Sequence, residues 1–170
     1  MKRLLLIMGL IALTWACQTM DEKEMTIEER QEIASTIKQN FMETMELLKN
    51  HNQENFEKWI NPYVESNDEA WMKNPAIWLQ GLNLWSTKEA IYEVWKPKEG
   101  IRSGTNFNIE EDYVAVLSPE NAVYVFKGAY SVIDKDGNTS DDYPMSGTAV
   151  YVLRNGEWKI LHTHYSYQND

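Results

Sequence analysis

Gly156-Glu157-Trp158-Lys159-Ile160-Leu161-His162-Thr163-His164-Tyr165-Ser166 is the last strand-like run of the chain, and its reading decides the fold. Side chains of an extended chain alternate between two faces. Unbroken alternation places Trp158, Ile160, His162, His164 and Ser166 on one face and Lys159, Leu161, Thr163, Tyr165 and Tyr167 on the other. The first face runs from an apolar base to a polar tip. That gradient fits a strand crossing a pocket, buried at one end and lined by hydrogen-bonding groups at the other.

Moving upstream, the same period of two recurs back to Thr105. Thr105 to Ile109, Tyr113 to Ser118, Ala122 to Asp134, Tyr143 to Arg154 and Glu157 to Tyr167 are rich in Val and Tyr and are expected to be strands. Ser118-Pro119-Glu120-Asn121, Asp134-Lys135-Asp136-Gly137-Asn138 and Arg154-Asn155-Gly156-Glu157 separate them with residues that tolerate hairpin geometry.

Before Gly100 the period is helical. Thr26 and Glu29 have capping-box spacing, and Ile33, Ile37, Phe41 and Met45 put one apolar side on a helix that reaches Asn50. Asn52 caps a second helix through about Ile60, with Phe56, Trp59 and Ile60 inward. Ser86, with Glu89 three residues on, caps a third, with Ala90, Ile91, Val94 and Trp95 inward. Between Tyr63 and Trp85, turn residues mix with Trp71, Trp78, Leu79, Leu82 and Leu84, which predicts a short helix or pair of turns covering one end of a cavity. Three helices followed by an antiparallel meander make an α+β fold with the sheet curled around the first helix.

The chain of 170 residues suffices for one domain, and 43% hydrophobic with 25% charged residues is ordinary globular composition. An aromatic share of 12% points to a cavity or interface rich in rings. A net charge of -10, without a basic stripe, argues against nucleic acid as a partner. No phosphate-binding glycine loop, nucleophile elbow or paired-cysteine motif occurs, so no cofactor is expected. The acidic turn from Asp134 to Asn138 lacks the glutamate and spacing of a calcium loop.

The N-terminus reads separately. Met1-Lys2-Arg3 is basic, Leu4 to Leu13 is apolar but too short for a membrane-spanning helix, and Ala16-Cys17 closes the segment. This resembles a bacterial lipoprotein signal: residues 1-16 a signal peptide, Cys17 the lipidated residue, 17-25 a polar tether and 26-168 the domain. The expected location is the cell envelope, anchored to the membrane through the lipid on Cys17. An ordinary secretory signal, giving a secreted or periplasmic domain, is the alternative. Cys17 is the sole cysteine, so the domain holds no internal disulfide.

Among chemistry-bearing side chains, His162 and His164 stand out as candidates for ligand contact, acid-base work or internal hydrogen bonding. As an i, i+2 pair they lack the further ligand that a zinc site needs, and no metal is expected. Tyr124, Phe126 and Tyr130 share one face of a strand with Gly128 between them. If that face is concave, these rings, Trp158, Ser166 and Phe41 of the first helix line the pocket. Glu110, Glu111 and Asp112 are expected at a solvated bend between two strands.

The order of elements, together with Gly156-x-Trp158-x-Ile160-x-His162-x-His164-x-Ser166 and the segment Leu84-Trp85-Ser86-Thr87-Lys88-Glu89-Ala90, resembles the SnoaL-like family of the nuclear-transport-factor-2-like superfamily. The resemblance spans about Thr26 to Tyr167. It implies a cone of curved antiparallel sheet wrapped around three helices, with a pocket inside. The superfamily includes isomerases, cyclases, dehydratases, transport adaptors, kinase oligomerisation modules and binding domains, so fold does not fix function. The expectation is an exported domain that binds a small, partly apolar molecule or a protein partner. An isomerase, cyclase or dehydratase, with His162 or His164 as acid-base and Tyr124 or Tyr130 as oxyanion donor, is the second reading. A homodimer through the open sheet face is the third.

Overall fold

The computed structural model describes residues 24–64, 77–80, 83–98 and 103–167. The leader segment, Cys17, Trp71 and Leu82 lie outside the described residues. Helix α1 spans Ile27–Glu46 and continues as a single 3-10 turn, Leu47–Lys49; α2 spans Gln53–Ile60. Two short strands follow, β1 (Ile77–Gln80) and β2 (Asn83–Trp85), then α3 (Lys88–Trp95). The long strands are β3 (Gly104–Ser118), β4 (Asn121–Ile133), β5 (Tyr143–Arg154) and β6 (Glu157–Tyr167).

The helices begin where short polar side chains replace missing backbone partners. Thr26 Oγ1 accepts from the Glu29 amide at 3.1 Å while Glu29 Oε2 accepts from the Thr26 amide at 2.7 Å, closing the capping box. Asn52 accepts from the Asn55 amide at 2.9 Å. The third helix starts one residue later than expected: Thr87 Oγ1, not Ser86, accepts from the Ala90 amide.

The described strands form one six-stranded sheet, ordered β2-β1-β6-β5-β4-β3. Strands β3 to β6 form the expected antiparallel meander, and Asn155 and Gly156 at φ 51° and 80° make the tight β5–β6 turn. The segment before α3 is not the expected helix or turns. It is a β-hairpin whose first strand runs parallel to β6, pairing Ile77 with His162 and Gln80 with Tyr165, so the sheet is mixed. Tyr63 and Val64 extend that edge, with the Val64 amide donating to the Ile160 carbonyl at 3.0 Å. These pairings link residues far apart in sequence, and no local pattern announces them.

The core lies between the concave face of the sheet and the apolar sides of the helices. Ile37, Phe41 and Met45 of α1 meet Tyr124 and Phe126 of β4, Ala149 and Tyr151 of β5, and Ile160 and Tyr165 of β6, all buried. Phe41 sits 4.4 Å from the Tyr124 ring and 5.0 Å from the Phe126 ring, centroid to centroid. Burial of each such side chain contributes roughly 1.5–3 kcal/mol.

Three register shifts break the regular pairing: one skips Leu117 beside the β3–β4 turn, and two are bulges within the strands. In β3, Ile109 pairs with Gly128 but Glu111 pairs with Lys127, leaving Glu110 as the extra residue. The expected bend between two strands is therefore one continuous strand with a bulge. In β6, Val150 of β5 pairs with His162 but Tyr151 pairs with Ile160, leaving Leu161 over. A Cβ on Gly128 would collide with the Asn108 carbonyl oxygen beside the first bulge. Backbone cannot move aside as a flexible side chain can. Gly128→Ala is therefore expected to destabilise the domain by about 3 kcal/mol, measured as a lower urea midpoint at unchanged m-value.

Candidate functional site

An extra residue moves every later side chain of a strand to the opposite face. The bulge at Leu161 does this to β6. Trp158 and Ile160 face the core, but beyond the bulge Thr163, Tyr165 and Tyr167 take the inward positions, opposite Ala149, Gly147 and Met145. His162, His164 and Ser166 turn to the convex face, opposite Val150, Thr148 and Ser146. The five residues that uninterrupted alternation assigns to one face are thus divided between two. Thr163 and Tyr165 are 1% and 3% exposed, the burial of an interior row.

His162 and His164 therefore lie outside the cone. His164 Nε2 is 3.3 Å from Ser166 Oγ. Partial burial, then the neighbouring His164, hold His162 below the ordinary histidine value of 6.5. Among the described residues no group of three or more His, Cys, Asp or Glu could hold a metal ion.

The ring-bearing face of β4 is concave, as its alternation allows: Ala122, Tyr124, Phe126 and Gly128 are buried against the helices. The bulge in β3 turns Asp112 onto that same face, opposite Phe126. Asp112 is not the solvated bend residue of the sequence reading. Its Oδ2 accepts from the Tyr124 hydroxyl at 2.8 Å, and its Oδ1 accepts from Lys38 Nζ of α1 at 2.8 Å. Burial alone would raise the Asp112 pKa, but the hydrogen bonds from Lys38 and Tyr124 and the Lys38 charge hold it below the ordinary 3.8. Burial and the Asp112 carboxylate push the Tyr124 phenol far up, so it stays a donor. This arrangement fastens α1 to the sheet at the filled end of the cone.

The hollow is elsewhere. At the other end of α1, a cavity of about 170 Å³ lies between helices and sheet. Met45 and Leu48 come from the end of α1 and the turn after it, Trp59 from α2, Gln80 from β1 and Trp95 from α3. Thr105, Phe107, Tyr130, Val132, Tyr165 and Tyr167 come from β3, β4 and β6. Gln80, Trp95 and Val132 are shared with a wider vestibule of about 480 Å³, whose remaining walls are His51, Asn83, Trp85, Val94, Lys96 and Lys98. Burial raises the Tyr165 phenol well above its ordinary value, so its hydroxyl remains protonated and cannot serve as a base. The Gln80 Oε1 atom is buried and accepts no hydrogen bond among the described residues.

Of the side chains proposed from sequence, Tyr130 lines this cavity. Phe41, Tyr124 and Phe126 pack together as core. Trp158 borders a separate surface groove with Thr44, Leu47, Pro62 and Tyr151. Ser166 borders another with Lys127 and Ser146. The sequence reading missed His51, Gln80 and the inward Tyr165 and Tyr167. His51 is 8% exposed and its amide donates to the Ser103 carbonyl at 2.7 Å, a link between a helix junction and the start of β3 that spacing does not reveal. Trp59 and Trp95 were readable as inward helix residues, although not as cavity walls.

The structure is an α+β cone with a hollow between its helices and the concave sheet. The match of residues 74–170 to the SnoaL-like domain model places this chain in the SnoaL-like family. No curated protein matches its sequence. Solved structures share the fold at low identity. A protein proposed as a dehydratase of the NTF2-like family from Streptomyces avermitilis is 12% identical with a TM-score of 0.66, over 83% of this chain and 99% of that one. A proposed scytalone dehydratase from Novosphingobium aromaticivorans is 11% identical with a TM-score of 0.66, over 85% and 89%. The association domain of C. elegans CaMKII is 12% identical with a TM-score of 0.58, over 83% and 99%.

Tyr124→Phe tests the division between filled and hollow ends. Loss of one hydrogen bond to a part-buried carboxylate is expected to cost about 2 kcal/mol in urea unfolding. A cost well below that would mean that the Tyr124–Asp112 hydrogen bond does not fasten the filled end.

Proposed function

We propose that this chain is an exported, lipid-anchored binding domain that holds one small, largely aromatic or apolar molecule in the hollow end of its cone. The observation that carries this reading is the cavity itself, walled by rings and by Gln80, whose buried Oε1 accepts no hydrogen bond among the described residues. Empty space of that volume would cost on the order of 4 kcal/mol at roughly 24 cal/mol per Å³. A buried acceptor without a donor costs a further 1–3 kcal/mol or so. A ligand with an apolar body and one hydrogen-bond donor removes both costs. The basic, apolar and Ala16-Cys17 sequence of the leader supports export and acylation, with an unacylated secreted or periplasmic domain as the alternative.

The convex face supports self-association. Tyr113 and Val125 sit opposite one another there, 69% and 42% exposed, next to Ala115 and Val123. Native mass spectrometry of protein purified from its own host is expected to show a bound small molecule and the mass of a dimer. Gln80→Met preserves shape while removing the orphan acceptor. It should raise stability by about 1 kcal/mol yet weaken retention of that molecule at least fivefold. A variant that gains stability and keeps the ligand fully would sink the assignment of Gln80 to the site.

An enzymatic reading of the isomerase, cyclase or dehydratase kind rests on His51, which borders the vestibule, rather than on His162 or His164. Incubation of the recovered molecule with apo protein and with His51→Asn decides it. Conversion by the first and not the second supports catalysis; an unchanged mass with both supports binding alone.

A further inference from the structure

The two adjoining chambers differ in chemistry. The inner one is apolar and ring-walled, and its volume of about 170 Å³ is close to the ~150 Å³ that accommodates benzene in an engineered protein cavity. It holds one aromatic ring and little more. Gln80, Trp95 and Val132 belong to the walls of both chambers and form the neck between them, and the buried Gln80 Oε1 has no hydrogen-bond partner among the described residues. An acceptor placed there selects a ligand with an N–H or O–H donor next to the ring-bearing part. Beyond the neck, the described residues of the vestibule walls include Lys96 and Lys98 and no carboxylate, on a chain whose net charge is -10. Lys96 Nζ is bound to Glu93 at 2.7 Å, one helical turn back, whereas Lys98 makes no ion pair among the described residues. Among the described residues, the mouth therefore offers a positive charge without an ion-pair partner, on a chain rich in acids.

We infer that the ligand is a small aromatic acid with a hydrogen-bond donor between ring and carboxylate, as in 2-hydroxy or 2-amino acids with an aryl side chain. The ring occupies the inner chamber, the donor meets Gln80 Oε1 at the neck, and the carboxylate faces Lys98, with Lys96 beside it. This inference rests on the reading of the cavity as a ligand site and adds the identity of the occupant. The carboxylate remains hydrated at the open mouth, so Lys98 guides and orients it, while the ring supplies most of the affinity.

The test titrates the full-length mature protein with four probes, following quenching of tryptophan fluorescence and, independently, heat. The probes are 3-phenyllactate, 3-phenylpropanoate, 3-phenyllactamide and neutral indole. Relative to 3-phenyllactate, the amide should bind about tenfold more weakly and the propanoate about fivefold. Lys98→Ala should weaken 3-phenyllactate about fivefold and leave the amide unchanged. Gln80→Met should weaken 3-phenyllactate and leave the propanoate unchanged. Equal binding of acid and amide, or equal losses for both on Lys98→Ala, overturns the anionic part. Equal binding of the lactate and propanoate overturns the donor at the neck. Indole bound while the acids are not leaves the cavity as a ligand site and refutes the acid; no binding of any probe overturns both readings.

Discussion

A β-strand has a side-chain period of two, and one inserted residue reverses the facing of everything after it. Two such insertions, Glu110 in β3 and Leu161 in β6, decide which groups the interior of this domain contains. The first brings Asp112 inward, where Lys38 and Tyr124 bind it. The second brings Thr163, Tyr165 and Tyr167 inward and sends the two histidines of the last strand to the outer surface. Without the first bulge the carboxylate that fixes α1 would face solvent. Without the second, the hollow end would be lined by imidazoles rather than phenols, with a different repertoire of proton transfer.

Those insertions also account for what was readable in the chain. The capping box at Thr26, the Asn52 cap, the Asn155-Gly156 turn and the inward face of β4 are local patterns, each set by residues within one or two turns, and each is present in the structure. Neither bulge is marked by a glycine at the inserted position, because Glu110 and Leu161 are ordinary strand residues. The parallel pairing of β1 with β6 joins residues about eighty positions apart, and a four-residue strand is too short to show a period. Gln80 and His51 are placed by such distant pairings, which is why the cavity walls were harder to read than the core.

The domain is divided along α1. At one end Phe41, Tyr124 and Phe126 fill the cone, and the Asp112 interactions tie helix to sheet. Next to them Phe126 meets Tyr165 at 6.0 Å, so the floor of the cavity is the wall of the core. At the other end the helix gives way to a single 3-10 turn carrying Leu48, and the chain swings out to His51 and α2. The helix therefore stops before it can fill the wide end. Aromatic side chains from α2, α3, β3, β4 and β6 then line the space instead of closing it, which makes the hollow a consequence of where α1 ends.

Shared fold does not carry shared chemistry here, because the chemistry of a cone depends on a few wall positions. Among the described residues the walls offer three phenols, of which burial holds that of Tyr165 protonated, two indoles and one side-chain amide, and the mouth carries cations. Protonated phenols donate hydrogen bonds but do not abstract protons, so the inner chamber is suited to holding a ring rather than ionising it. On the enzymatic reading proposed above, proton transfer would start at the mouth, where His51 lines the vestibule. On the proposed binding reading, the division between an apolar chamber and a polar vestibule sets both which molecule fits and which of its bonds a reaction could reach.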